Sequence, residues 1–208
     1  MSPPTERTRV RRLPEKAVDD VAVLHAVLDS ARVAHVAFLD DGHPVNIPTG
    51  AARDGDRLLL HGSTGSRLFR HLAAGAEVCA TVTLLDGMVL ARSAFESSMH
   101  YRSAMVFGRA VEVVEVVDKV AALRAMSEAW LPGRWDTLRS PHAKELAATL
   151  VLELPLDEWS VKISDGPPDD DPADLDAPVW AGVLPIVTSY GQPVPAPDLR
   201  GDPEPWQP

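Results

Sequence analysis

Residues Leu58–Thr83 read LLLHGSTGSRLFRHLAAGAEVCATVT. The apolar run Leu58–Leu60 stops at His61-Gly62, a small polar loop follows, and amphipathic residues resume at Leu68. That pattern predicts a strand, a turn and a short helix. The loop Ser63-Thr64-Gly65-Ser66 brings hydroxyls and permissive glycines to a helix start, where Ser66 is expected to cap the first-turn N–H groups. A helix start with hydroxyls beside it suits an anion, and Arg67 adds a planar fork that matches phosphate oxygens. Ser63, Ser66 and Arg67 are therefore candidate phosphate contacts. The same residues also make an ordinary strand-to-helix turn with no ligand. The loop has neither the Walker spacing nor the dinucleotide glycine pattern.

Outward from this stretch, the chain alternates short apolar segments with turn signals. Asp19-Asp20 precede a helical pattern of Val21, Leu24 and Leu28, on which His25 reads as a packing or surface residue. Val33–Leu39 and Pro44–Ala52 read as a hairpin about Asp40-Asp41-Gly42. Asp54-Gly55-Asp56 leads into the strand Arg57–His61, and Asp86-Gly87 is expected to turn between strands Glu77–Leu85 and Met88–Phe95. Ser97–Val117 reads as one long strand bent at Gly108, followed by a helix capped by Asp118 and ending at Pro132-Gly133. A short helix at Ala143–Ala148 and strands at Thr149–Leu154 and Trp159–Ile163 complete the core. Asp-Gly turns between β-rich segments, with few helices interposed, predict a mainly antiparallel, mainly β fold with flanking helices, closing toward a barrel.

Three regions are expected: an N-terminal arm at 1–17, polar, basic and flexible; a core domain at 18–165; and an acidic, Pro-rich extension at 166–208. Within that extension the apolar island VWAGVLP at 179–185 is expected to dock on the core or on a second subunit.

With 208 residues, a single core is the expectation. The formal charge of -10 argues against broad nucleic-acid binding, because holding a duplex requires neutralising phosphates. No apolar stretch is long enough for a membrane span and no leader pattern is evident, so a cytoplasmic protein is expected. Cys79, the one cysteine, excludes an internal disulfide and reads as packing. The seven histidines form no HExxH or HxxxH arrangement, and no metal site is expected. No GxSxG elbow occurs, and the adjacent acids sit in turns where they are solvated, so no side chain is assigned as catalytic.

The order of these pieces resembles the pyridoxamine-phosphate-oxidase-like family of FMN-binding split β-barrels. The likeness is greatest to its branch of flavin-nucleotide-binding proteins, which is similar to the nitroimidazole-resistance proteins. It spans about Arg32–Ile163 and rests on PVNIPTG at 44–50, LHGSTGSR at 60–67, AEVCATVTLLDGMVLARSAF at 76–95 and YRSAMVFGRA at 101–110, with VWAGVLP also typical of the branch. The resemblance implies a homodimer of six-stranded barrels with FMN in clefts at the interface. It implies that Pro48, Thr49 and Gly50 line the flavin, that His61 and Gly62 stand near the ribityl phosphate, and that Ser66 and Arg67 hold that phosphate. It further places Ser103 toward the ring and Trp180 as a cover. Leu68 and Gly50 stand where the oxidases carry lysines, so a basic cradle for a vitamin B6 phosphate is not evident. The function so implied is an FMN-dependent oxidoreductase acting on a small organic molecule with a nicotinamide or another reductant as partner. The alternative is a non-catalytic flavin, haem or deazaflavin binding or storage protein.

Overall fold

The computed structural model describes residues 5–201 and 203–206; expectations that fall on residues 1–4, 202 and 207–208 lie outside it. In chain order the elements are β1 (Ala17–Val18), α1 (Val21–Ser30), β2 (Val33–Asp40), β3 (His43–Asp54), β4 (Arg57–Ser63), α2 (Arg67–Ala73), β5 (Glu77–Leu90), β6 (Ser98–Arg109) and β7 (Val111–Glu112). There follow α3 (Val116–Trp130), α4 (Ala143–Ala148), β8 (Thr149–Pro155), β9 (Glu158–Ser164) and β10 (Gly182–Pro185). Every strand pairing is antiparallel, in the order β1-β9-β6-β5-β2-β3-β4-β8-β7, with β10 added to β5.

Two hairpins follow the expected turn chemistry. Asp41 and Gly42 both take positive φ in the two-residue loop between Asp40 and His43, and in the Gly55-Asp56 loop that joins Asp54 to Arg57 the glycine alone does so. β3 is the hinge of the fold, since its first half pairs with β2 and its second half with β4. Period-2 alternation then fills the barrel: Ala34, Val36 and Phe38 of β2, Leu58 and Leu60 of β4, Val78, Ala80 and Val82 of β5 and Leu152 and Leu154 of β8 point inward. α1 packs on this core through Leu24, Val27 and Leu28, and α2 through Leu68, Phe69 and Leu72. The outer face of β3, β4 and β8 carries a second, smaller core under α3, made of Ala52, Leu59, Val151, Ala122 and Met126.

Four local expectations are corrected. Asp86-Gly87 is not a turn: β5 runs unbroken to Leu90, and the extra residue makes a bulge between Leu85 and Gly87. The bulge resets the alternation, so Leu85, Met88 and Leu90 share one face. The long strand to Val117 divides at Ala110, where the chain leaves β6 and a two-residue β7 joins β8 instead. α3 starts earlier than Asp118, with Glu115 in the cap position. Ser66 occupies the cap position of α2, but its side chain makes no capping hydrogen bond, because Ser63 has already organised the turn.

Described segments toward both ends of the chain fold onto the sheet. β1 pairs with β9, and Arg7 bridges Glu77 and Glu158. On the other side, β10 covers the edge of β5 beyond the part that pairs with β2, a device that blunts an open edge. The acidic loop before β10 is fixed by Asp170, 3% exposed, whose carboxylate accepts from the Arg92 backbone N–H at 2.6 Å and from its Nη1 at 2.7 Å. Among the described residues, no helix is long and apolar enough to cross a membrane.

Candidate functional site

β4 carries the chain from core to site. Leu58 and Leu60 face inward, so Leu59 and His61 face outward under α3, and Gly62 faces inward again. Gly62 is a close approach: a Cβ there would overlap the ring of Phe69, which lies against the bare backbone. Three successive backbone donors of the polar loop are satisfied. Thr64 N–H donates to Ala148 O at 3.0 Å, Gly65 N–H to Ser63 Oγ at 3.1 Å and Ser66 N–H to Ser63 O at 2.9 Å. Ser63 is thus spent on the turn, whereas the Ser66 hydroxyl makes no capping bond. Arg67 is 55% exposed and its Nη1 lies 3.3 Å from Asp40 Oδ2, while His71 Nε2 takes the other Asp40 oxygen at 3.0 Å. An exposed ion pair of this kind is worth little, so the guanidinium is available to a stronger anion.

His61 is the most distinctive group. Its Nδ1 is buried with no hydrogen-bond partner among the described residues. Its ring packs on Trp130, centroids 5.9 Å apart and planes 43° apart. Burial pushes its pKa below the ordinary histidine value, so the imidazole is neutral near pH 7. A neutral imidazole is the form that ligates a metal, and with Nδ1 buried the nitrogen that could do so is Nε2.

The other sequence-derived residues divide among three places. Pro48 and Gly50 lie on the outward face of β3, whereas Thr49 opposes the buried Ala34 and turns its side chain the other way. Ser103 on β6 opposes Thr83, with its Oγ 3.4 Å from Lys162 O. Through Thr81 and His35 it shares a face with Pro48, three strands and roughly 14 Å away. Arg67 is drawn to the Asp40 end of β2, roughly 17 Å along that strand from His35. Trp180 is 68% exposed and stacks over Gly182, which opposes Leu90, roughly 30 Å along β5 from Thr81. Within one chain Trp180 therefore does not join the other candidates.

The family model described as pyridoxamine 5'-phosphate oxidase matches residues 20–163. The chain belongs to the pyridoxamine 5'-phosphate oxidase family. Its split-barrel architecture follows, with the core strands inside the matched region and β1 and β10 added outside it. No curated protein matches the chain. Among solved structures it is similar to the FAD and haem binding protein from Mycobacterium smegmatis, with 47% identity over 91% of this chain and 94% of that one and a TM-score of 0.88. It is also similar to the flavocytochrome Anf3 from Azotobacter vinelandii, with 41% identity over 97% of this chain and 94% of that one and a TM-score of 0.91. Both likenesses extend well beyond the matched family region.

Sequence reasoning passed over Trp130, which lies within the helix expected between Asp118 and Pro132. The signal it lacked was the contact across strands: Gly50 on β3 leaves room for an indole arriving from the end of α3.

Proposed function

We propose that this chain is a redox protein that binds a flavin and a haem, with the His61 imidazole as a protein ligand to the haem iron. The neutral, half-buried imidazole carries this reading, because burial has already met the cost of keeping the ring unprotonated and, with Nδ1 buried, Nε2 is the nitrogen that would face the iron. The near-full-length likeness to two proteins whose names carry both cofactors, or the flavocytochrome class, supports it. FAD is proposed in place of the FMN expected from the sequence, on the strength of the protein from M. smegmatis, which is a FAD-binding protein. When bound, the flavin supplies two-electron chemistry and the haem one-electron chemistry. The chain's own groups would orient them: Pro48 presents the outward face of β3, Ser103 offers a hydroxyl on the same face, and Ser66 with Arg67 meets the flavin phosphate, whereas Gly50 is covered by the Trp130 indole. A nicotinamide is the proposed reductant.

The proposal includes a homodimer. Leu85, Met88, Leu90, Met99 and Leu184 are exposed on the hairpin face that continues from Ser103, an apolar surface fitted to a second copy. A second copy is also the means by which Trp180 would reach the flavin.

The test is the absorption spectrum of the protein reconstituted with FAD and hemin, with the released flavin identified by mass. Retained FAD together with a Soret band is expected, and His61→Ala is expected to lose the Soret band while keeping the flavin. A wild-type protein that takes up flavin but no hemin would remove haem from the reading. A Soret band unchanged in His61→Ala would remove His61 as the ligand.

A further inference from the structure

We propose that Trp130 is a positioning residue that holds the His61 imidazole in a single orientation, and that position 50 is a glycine so that Trp130 can reach it. As a role toward haem, the proposal rests on the reading of His61 given above. The physical argument starts from the indole. Trp130 is the last residue of α3 and its Nε1–H donates to the Ala51 carbonyl at 2.9 Å. That bond fixes the ring plane against β3, because an indole has one donor and here it is used. The far edge of the ring lies directly over Gly50, where a Cβ would stand 2.7 Å from Cη2 and 3.0 Å from Cζ2. Gly50 does not have the positive φ that favours glycine, so space rather than backbone conformation accounts for the missing side chain.

The same indole forms the wall on which His61 rests. His61 Nδ1 has no hydrogen-bond partner among the described residues, so no hydrogen bond from that nitrogen sets the ring. Histidines that bind metals are ordinarily oriented through the nitrogen that does not ligate. Here contact with a hydrogen-bonded indole takes that place. The helix is held in turn, since the Trp206 indole donates to Pro132 O at 3.0 Å just beyond its end.

The experiment compares the full-length wild type with Trp130→Leu, Trp130→Phe and Gly50→Ala by two measurements. In the cofactor-free protein, ring proton and nitrogen resonances of His61, assigned by their loss in His61→Ala, report its orientation. One set of ring signals with indole contacts is expected for the wild type. Several sets or exchange broadening are expected for Trp130→Leu and Gly50→Ala, with partial recovery in Trp130→Phe. In the hemin-loaded protein, Trp130→Leu is expected to weaken hemin retention at least tenfold and to broaden the electron paramagnetic resonance of the iron, with flavin retention unchanged. An unchanged single His61 orientation in Trp130→Leu overturns the proposal, whatever the outcome with hemin. A wild type that binds no hemin, with the His61 signals responding to Trp130 as described, overturns the haem reading and leaves the positioning role standing.

Discussion

The barrel body and the outer half of the β5–β6 hairpin are built from the same kinds of residue and end in opposite surroundings. In the body, Leu58, Leu60, Leu152 and Leu154 are essentially inaccessible, and the outward-facing Leu59 of β4 and Val151 of β8 are buried under α3. In the hairpin beyond Val82, Leu85, Met88, Leu90 and Met99 stand exposed on one face. The bulge at Leu85/Gly87 is what keeps them together, because an unbroken alternation would have put Leu85 and Met88 on opposite faces. The body completes its core within one chain, whereas the hairpin leaves an apolar face exposed to solvent.

The sharpest way to test the first half is to remove volume from it. Leu60→Ala, at a position with 0% exposure, is expected to destabilise the chain by about 2–5 kcal/mol in equilibrium denaturation, since the barrel wall cannot collapse into the space. Adding volume is the next largest effect. Gly62→Ala sets a Cβ into the Phe69 ring and is expected to cost about 1–3 kcal/mol, with α2 displaced and the Ser66-Arg67 end of it moved. The same substitution at Gly42 is the informative contrast, because nothing lies within 4 Å of its Cβ position and only its φ of 79° opposes the change.

Breaking the second half should look different. Met88→Asp puts a charge on the exposed hairpin face and is expected to change monomer stability by less than about 0.5 kcal/mol. The same variant is expected to convert a dimer into a monomer in light scattering. Equal dimerisation in the variant and the wild type would show that this face is not the contact.

What could be read from the sequence tracks how local each cause is. The β2–β3 and β3–β4 hairpins were legible because Asp-Gly pairs dictate their own φ values. The third Asp-Gly misled, since a bulge and a turn use the same residues and differ only in what the partner strand does. The β4–α2 loop was legible as a turn, and Ser66 was placed at the cap position, but the choice of Ser63 over Ser66 as the organising hydroxyl depends on backbone geometry the letters do not carry. Pro48 and Gly50 were found together with Thr49 as a motif, yet strand alternation separates the side chains. Trp130 and its glycine are 80 residues apart and meet only because α3 crosses β3, so no spacing rule links them.

The smallest effect concerns the bulge itself. Arg102 grips Asp86 through two bonds of 2.8 Å, and that pairing holds the Asp86 carboxyl below the usual aspartate range. A depressed carboxylate contributes stability that is fully present above its unfolded value of 3.8 and is lost as the pH falls through the lower folded value. Both groups are over one-third exposed, so the contribution after solvent screening is below about 1 kcal/mol. Its location makes it measurable. The Asp86 carbonyl accepts from Ile186 N–H at 3.0 Å, immediately after β10, so a loosened bulge should be felt there first. In amide exchange the Ile186 and β10 protons of the wild type are expected to lose protection below about pH 4 before the body strands do. In Arg102→Ala they should be less protected already at pH 7 and show a flatter acid dependence. Equal protection at pH 7 in the two proteins would mean that strand pairing with β10, rather than the Arg102–Asp86 fork, holds the bulge in place.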